Sequence, residues 1–155
     1  MKTKPTSPKT ISPALWGGLA CLVLALVLEL LPTGVVLMFA DGPGQQIPQS
    51  FSYFDLTPVG YGAWFPMLIG AATVLALILG LLCLWQRNAR GLFTAWLACV
   101  GVGGALSLLH LLFSALLTGQ FSPTIPECGI LILLLAACWL VSKARWAMAA
   151  PLQHS

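Results

Sequence analysis

Four long stretches of this chain contain few charged residues, and they constrain its fold more than any other feature. They cover residues 14–39, 66–86, 92–117 and 126–146. A helix of about 20 mostly apolar residues crosses a hydrocarbon layer about 30 Å thick. Only 7% of the residues are charged, against roughly a quarter in an ordinary soluble domain. Since so few charges cannot cover a water-facing surface, we predict an all-α membrane protein with four transmembrane helices.

The basic residues predict how the chain is threaded through the membrane. We divide it into a basic N-terminal segment (1–12), a four-helix transmembrane domain (13–148) and a tail (149–155). The loops at 41–65 and 118–127 hold no Lys or Arg, so all seven basic residues fall on one side: Lys2, Lys4, Lys9, Arg87, Arg90, Lys143 and Arg145. By the positive-inside rule that side is the cytoplasm. We therefore expect a multi-pass protein of the cell membrane with both termini in the cytoplasm.

Small and polar residues at four-residue spacing predict the helix contacts. In lipid, helices associate through close backbone packing and interhelical hydrogen bonds, both of which small residues favour. The first span carries Gly17, Cys21, Ala25, Glu29 and Thr33 in this register, and the third carries Ala95, Cys99, Gly103 and Ser107. We therefore expect the first and third spans to pack closely in an antiparallel bundle.

Glu29 is the residue of the predicted membrane interior that most needs an explanation. A carboxylate at the centre of a span costs about 2.5–3.5 kcal/mol on insertion, so it calls for a partner. Pro32 leaves the carbonyl of Leu28 without its helical donor, close to the same carboxyl group. Glu29 with Thr33, Ser107 and His110 is therefore the candidate site. One interpretation is a hydrogen bond to Ser107 or His110 that fixes packing, and the other is a proton or cation site.

The spacing of Glu29 and Thr33 resembles that in the first span of the small multidrug exporters, which are also four-span proteins. Trp96, Gly101 and Gly103 are loosely similar to their third span. That resemblance implies a proton-coupled transporter with Glu29 as the coupling residue. The loop at 41–65 is far longer than in that family, and only a handful of residues match.

The first outer loop predicts a short aromatic segment at the membrane surface. It opens with Asp41-Gly-Pro-Gly, which is typical of a flexible connector, and then becomes rich in aromatic residues. Phe51 and Phe54 are placed to share one face of a short helix on the outer leaflet. We expect this segment to anchor or cap the bundle.

Motifs of soluble enzymes and metal ligands at a recognisable spacing are absent from the sequence. We therefore expect no enzyme activity, no metal or cofactor and no nucleic-acid partner. The function hypothesis is a non-enzymatic membrane component, such as an accessory, assembly or structural subunit. The alternative is a small oligomeric proton- or cation-coupled transporter that uses Glu29. Expected partners are the lipid bilayer and either a second copy or another membrane protein.

Overall fold

A computed structural model describes residues 12–42, 45–55, 64–86, 90–118 and 125–149. Within these ranges the chain forms four helices and one β-hairpin. The elements, in chain order, are α1 (Pro13–Leu30), β1 (Val35–Gly42), β2 (Gln45–Phe51), α2 (Trp64–Trp85), α3 (Arg90–Thr118) and α4 (Ile125–Ala149). All four helices are long and apolar enough to cross a membrane, as predicted for a multi-pass membrane protein.

The first helix ends nine residues before the predicted boundary at residue 39, so the prediction for that end is wrong. Leu31 already has extended backbone angles, with φ −67° and ψ 137°. Pro32 explains this stop, because proline disfavours helical angles in the residue before it and cannot donate to a helical carbonyl. The following residues, Val35 to Phe39, are mostly β-branched or aromatic, and they form a strand instead.

A β-hairpin lies between the first two helices, so the prediction of a flexible connector and a short aromatic helix is wrong for the described part. β1 pairs with β2 in antiparallel fashion, from Val35 opposite Phe51 to Gly42 opposite Gln45. Phe51 ends β2, and Phe54 lies in the turn that follows the strand. Residues 56–63, which complete the predicted aromatic segment, lie outside the described residues.

The helices pack in an order that differs from the prediction. α1 lies mainly against α4, and α2 lies mainly against α3. Contacts between α3 and α4 connect these two pairs of helices. Gly17, early in α1, faces Leu140 late in α4, while Leu28 near the end of α1 meets Gly129 near the start of α4. The expectation that the first and third spans are the closest partners is therefore wrong.

α1 and α3 do not pack directly along each other. A large indole side chain fills the space between the helices instead. Trp96 of α3 is fully buried and packs edge-on against Phe93, with ring centroids 5.5 Å apart. Its ring reaches Gly80 of α2 and the neighbourhood of Gly18 of α1. Glycine at these positions gives the indole room, so Trp96 joins three helices.

The outward faces of the helices are apolar, which suits contact with lipid. Each helix leaves several large aliphatic or aromatic side chains well exposed, among them Leu24, Leu75, Leu108 and Ile132. In water such a surface would be a strong aggregation hazard, whereas lipid chains solvate it.

Candidate functional site

The carboxyl group of Glu29 lies in the last turn of α1 and is fully buried. Its Oε1 lies 2.7 Å from Oγ1 of Thr73 on α2, and the two atoms form a buried hydrogen bond. The nearest polar partner of the acid is therefore a neutral hydroxyl group. This bond joins α1 to α2 in the interior of the bundle.

Thr73 makes a second hydrogen bond, and the two bonds together bear on whether the carboxyl group of Glu29 is protonated. The Thr73 hydroxyl donates to the carbonyl oxygen of Ile69, one turn earlier, at 3.1 Å. A hydroxyl group has one proton, and a carbonyl oxygen can only accept. Both bonds therefore form fully at the same time when Glu29 is protonated and donates to Oγ1 of Thr73.

The second carboxyl oxygen of Glu29 is buried without a hydrogen-bond partner among the described residues. Most buried polar atoms in proteins have such a partner, so an orphan of this kind needs an explanation. A protonated carboxyl group tolerates this position far better than a carboxylate, because burying an isolated charge is much more costly.

The backbone of Glu29 connects the helix to the hairpin. Its carbonyl oxygen accepts a hydrogen bond of 3.0 Å from the N–H of Tyr53, just after β2. The last carbonyls of a helix lack intrahelical donors, so this bond satisfies one of them. Glu29 therefore holds three elements together: α1, α2 and the exit of the hairpin.

The side chain of Tyr53 packs into the same junction and is almost fully buried. A Cβ atom added at Gly34 would lie 2.9 Å from its ring, so the turn after α1 closes tightly over the tyrosine. Burial raises the pKa of the Tyr53 phenol well above its usual value. The phenol is therefore neutral at every physiological pH.

A second polar pair lies near the start of α4. Nε2 of His110 on α3 is 3.6 Å from Oε1 of Glu127 in the first turn of α4, and both side chains are mostly buried. Phe65 packs beside the imidazole with ring centroids 6.0 Å apart. A negative charge at a helix N-terminus is favourable, so Glu127 suits this position.

The structure does not bring the predicted site residues into one cluster. Glu29 bonds Thr73, and His110 pairs with Glu127, while Ser107 is buried on α3. Thr33 lies in the exposed turn between α1 and β1. Sequence reasoning missed Thr73 and Tyr53 as partners of Glu29. Thr73 had one usable signal, since it is the most polar residue between Pro66 and Trp85.

The predicted packing residues lie at several helix contacts. Cys99 donates from its thiol to the carbonyl oxygen of Ala72 at 3.8 Å, and Gly103 faces the same alanine. Ala25 is fully buried, whereas Ala95 is exposed. The two remaining predicted packing residues, Gly17 and Cys21, are partly buried on α1.

The described residues contain no group of three or more His, Cys, Asp or Glu side chains that could hold a metal ion. All five cysteines are free thiols. No protein-family model, curated protein or solved structure matches the chain.

Proposed function

We propose that this chain is a non-enzymatic component of the cell membrane, an accessory, assembly or structural subunit whose polar interior residues hold its elements together. It forms an antiparallel bundle of four spanning helices, with both termini in the cytoplasm and the hairpin outside. Its partners are the bilayer and another membrane protein, which can be a second copy. This proposal includes no catalytic step, metal or nucleic-acid partner.

One observation carries this proposal: Glu29 is bonded to the protein's own framework through both its side chain and its backbone. Its side chain bonds Thr73 of α2, and its carbonyl oxygen bonds the backbone of Tyr53. A residue that joins two helices and a hairpin has a clear structural role. Its burial needs no transported ion to account for it.

A flux measurement tests the proposal against its main rival. Purified protein is reconstituted into liposomes that contain a pH-sensitive dye, and a proton gradient is imposed. We expect the wild type and Glu29→Gln to give the same proton leak as empty liposomes. Glu29→Gln keeps a hydrogen-bonding amide at this position and removes the titration, so we expect it to elute from size exclusion like the wild type.

The second candidate function is a small oligomeric proton- or cation-coupled transporter. Its support is the unpartnered, fully buried Oε2 of Glu29, because intramembrane ionisable groups often mark ion or proton pathways. A pH-dependent flux in the wild type that is lost in folded Glu29→Gln would establish this function and refute the first one.

The proposed threading has its own test with engineered cysteines in intact cells. Gln45 is the first residue of β2, and Asn88 lies between the arginines at 87 and 90. With Cys128 replaced by serine, we expect a membrane-impermeant maleimide to label Gln45→Cys in intact cells. We expect it to label Asn88→Cys only after the cells are permeabilised. The opposite pattern would show that the proposed orientation is inverted.

A further inference from the structure

The β-hairpin has two outer edges that the described part of the chain does not cover with another strand. Its sheet contains only β1 and β2, and no described helix runs alongside either strand. An edge strand presents unpaired N–H and C=O groups that can accept a further strand. An isolated two-stranded hairpin is only marginally stable, and a third or fourth strand stabilises it.

Pro48 makes the two edges unequal. It lies in β2 opposite Met38, and proline has no N–H to give to the ladder. Proline therefore fits at a pair whose backbone groups point away from the neighbouring strand. By alternation, Val36 and Ser50 form another pair of this kind.

The outer edge of β1 is therefore complete from Val36 to Ala40, before the register shift between Ala40 and Gly42, and the outer edge of β2 is interrupted at Pro48. Along β1 the outward-pointing groups belong to Val36, Met38 and Ala40, which all carry an N–H. Along β2 the central outward donor is missing at Pro48. Of the two strands, β1 therefore offers the unbroken run of donors, from Val36 to Ala40, to a new strand.

We propose that β1 pairs in antiparallel fashion with β1 of a second copy of this chain. The two hairpins then form one four-stranded sheet across a dimer, in the order β2, β1, β1 of the second copy and β2 of the second copy. Each molecule has one usable edge, so this pairing closes after two copies. Such a twofold contact is the commonest form of protein oligomer.

The sequence of β1 suits pairing with an identical strand. Residues 35–40 carry no charge, so no like charges face each other across the new ladder. In a pairing centred on Met38, the two copies of Asp41 are at opposite ends of the sheet. Copies that share one orientation in a bilayer also hold their hairpins at the same height, which favours the encounter.

Two proline substitutions at one cross-strand pair provide a matched test. Val36→Pro removes an outward donor from the edge of β1, and Ser50→Pro removes the corresponding donor from the edge of β2. We expect light scattering of purified protein in detergent to give a dimer for the wild type and for Ser50→Pro. We expect a monomer for Val36→Pro, with the helical circular dichroism of the wild type. A monomeric wild type, or loss of the dimer in both variants, would overturn the proposal.

Amide hydrogen exchange on the wild type keeps the test decisive if Val36→Pro fails to fold. In the dimer the amides of Val36, Met38 and Ala40 are hydrogen-bonded across the interface, whereas that of Ser50 points to solvent. We expect exchange at least tenfold slower at the three β1 amides than at Ser50. Equal rates in the purified protein would overturn the proposal and point to lipid or a different protein as the cover of this edge.

Discussion

Gly80→Ala is expected to destabilise the bundle, although alanine is the better helix former. A Cβ atom at this position would lie 2.6 Å from Leu19 Cδ2 and 2.9 Å from Cε2 of Trp96. The leucine methyl group can move, but the indole is fully buried between helices and rigid. Overpacking of such a core costs about 1–3 kcal/mol. We therefore expect a loss of that size in the free energy of unfolding relative to a matched alanine variant.

Gly101→Ala is the matched variant, because it makes the same chemical change in a neighbouring helix. A Cβ atom added there meets nothing within 4 Å. The gain of about 1 kcal/mol in helix propensity is common to both variants and cancels in the comparison. Unfolding titrations in bicelles provide the measurement. If Gly80→Ala proved as stable as Gly101→Ala, the close packing of Trp96 on α2 would be refuted.

The sequence predicted the four helices well because length and hydropathy decide them almost alone. The second, third and fourth spans begin and end within three residues of the predicted bounds. The prediction of the first span failed at its C-terminal end, where an apolar run continues past the helix. Hydropathy cannot separate a helix from a buried strand in such a run, and there Pro32 and the β-branched residues after it decide the outcome.

The candidate site was predicted only in part, because the sequence shows residue types but not which helices are neighbours. Glu29 was identifiable from its type, because a carboxyl group within an apolar run stands out. Its partner was not, since the partner depends on which helices are neighbours and at what depth they meet. Small-residue spacing favoured the third span, but the structure places the second span beside Glu29, with Thr73 as the bonded residue. The contact of Tyr53 with the end of α1 depends on the hairpin, which the sequence reasoning did not predict.

Thr73→Val is expected to destabilise the protein more than Glu29→Gln does, because Glu29 depends on Thr73 for its side-chain hydrogen bond, whereas Thr73 has a second acceptor. Without Glu29, the Thr73 hydroxyl still donates to the Ile69 carbonyl. Without that hydroxyl, both carboxyl oxygens of Glu29 lack a partner among the described residues. An unsatisfied buried polar group costs about 1–3 kcal/mol. We expect a loss of this size for Thr73→Val in unfolding titrations, and a change below about 1 kcal/mol for Glu29→Gln, whose amide still bonds the hydroxyl.

The double variant Glu29→Leu/Thr73→Val should then be more stable than Thr73→Val alone. Removing the stranded acid replaces an unsatisfied polar group with an apolar side chain of similar size, which is close to neutral or favourable in a buried site. A second substitution that restores stability is unusual, and it follows from the one-sided dependence of Glu29 on Thr73. Additive losses in the double variant would mean that Glu29 has another strong partner. Residues 56–63 and a second copy of the chain would then be the places to look for it.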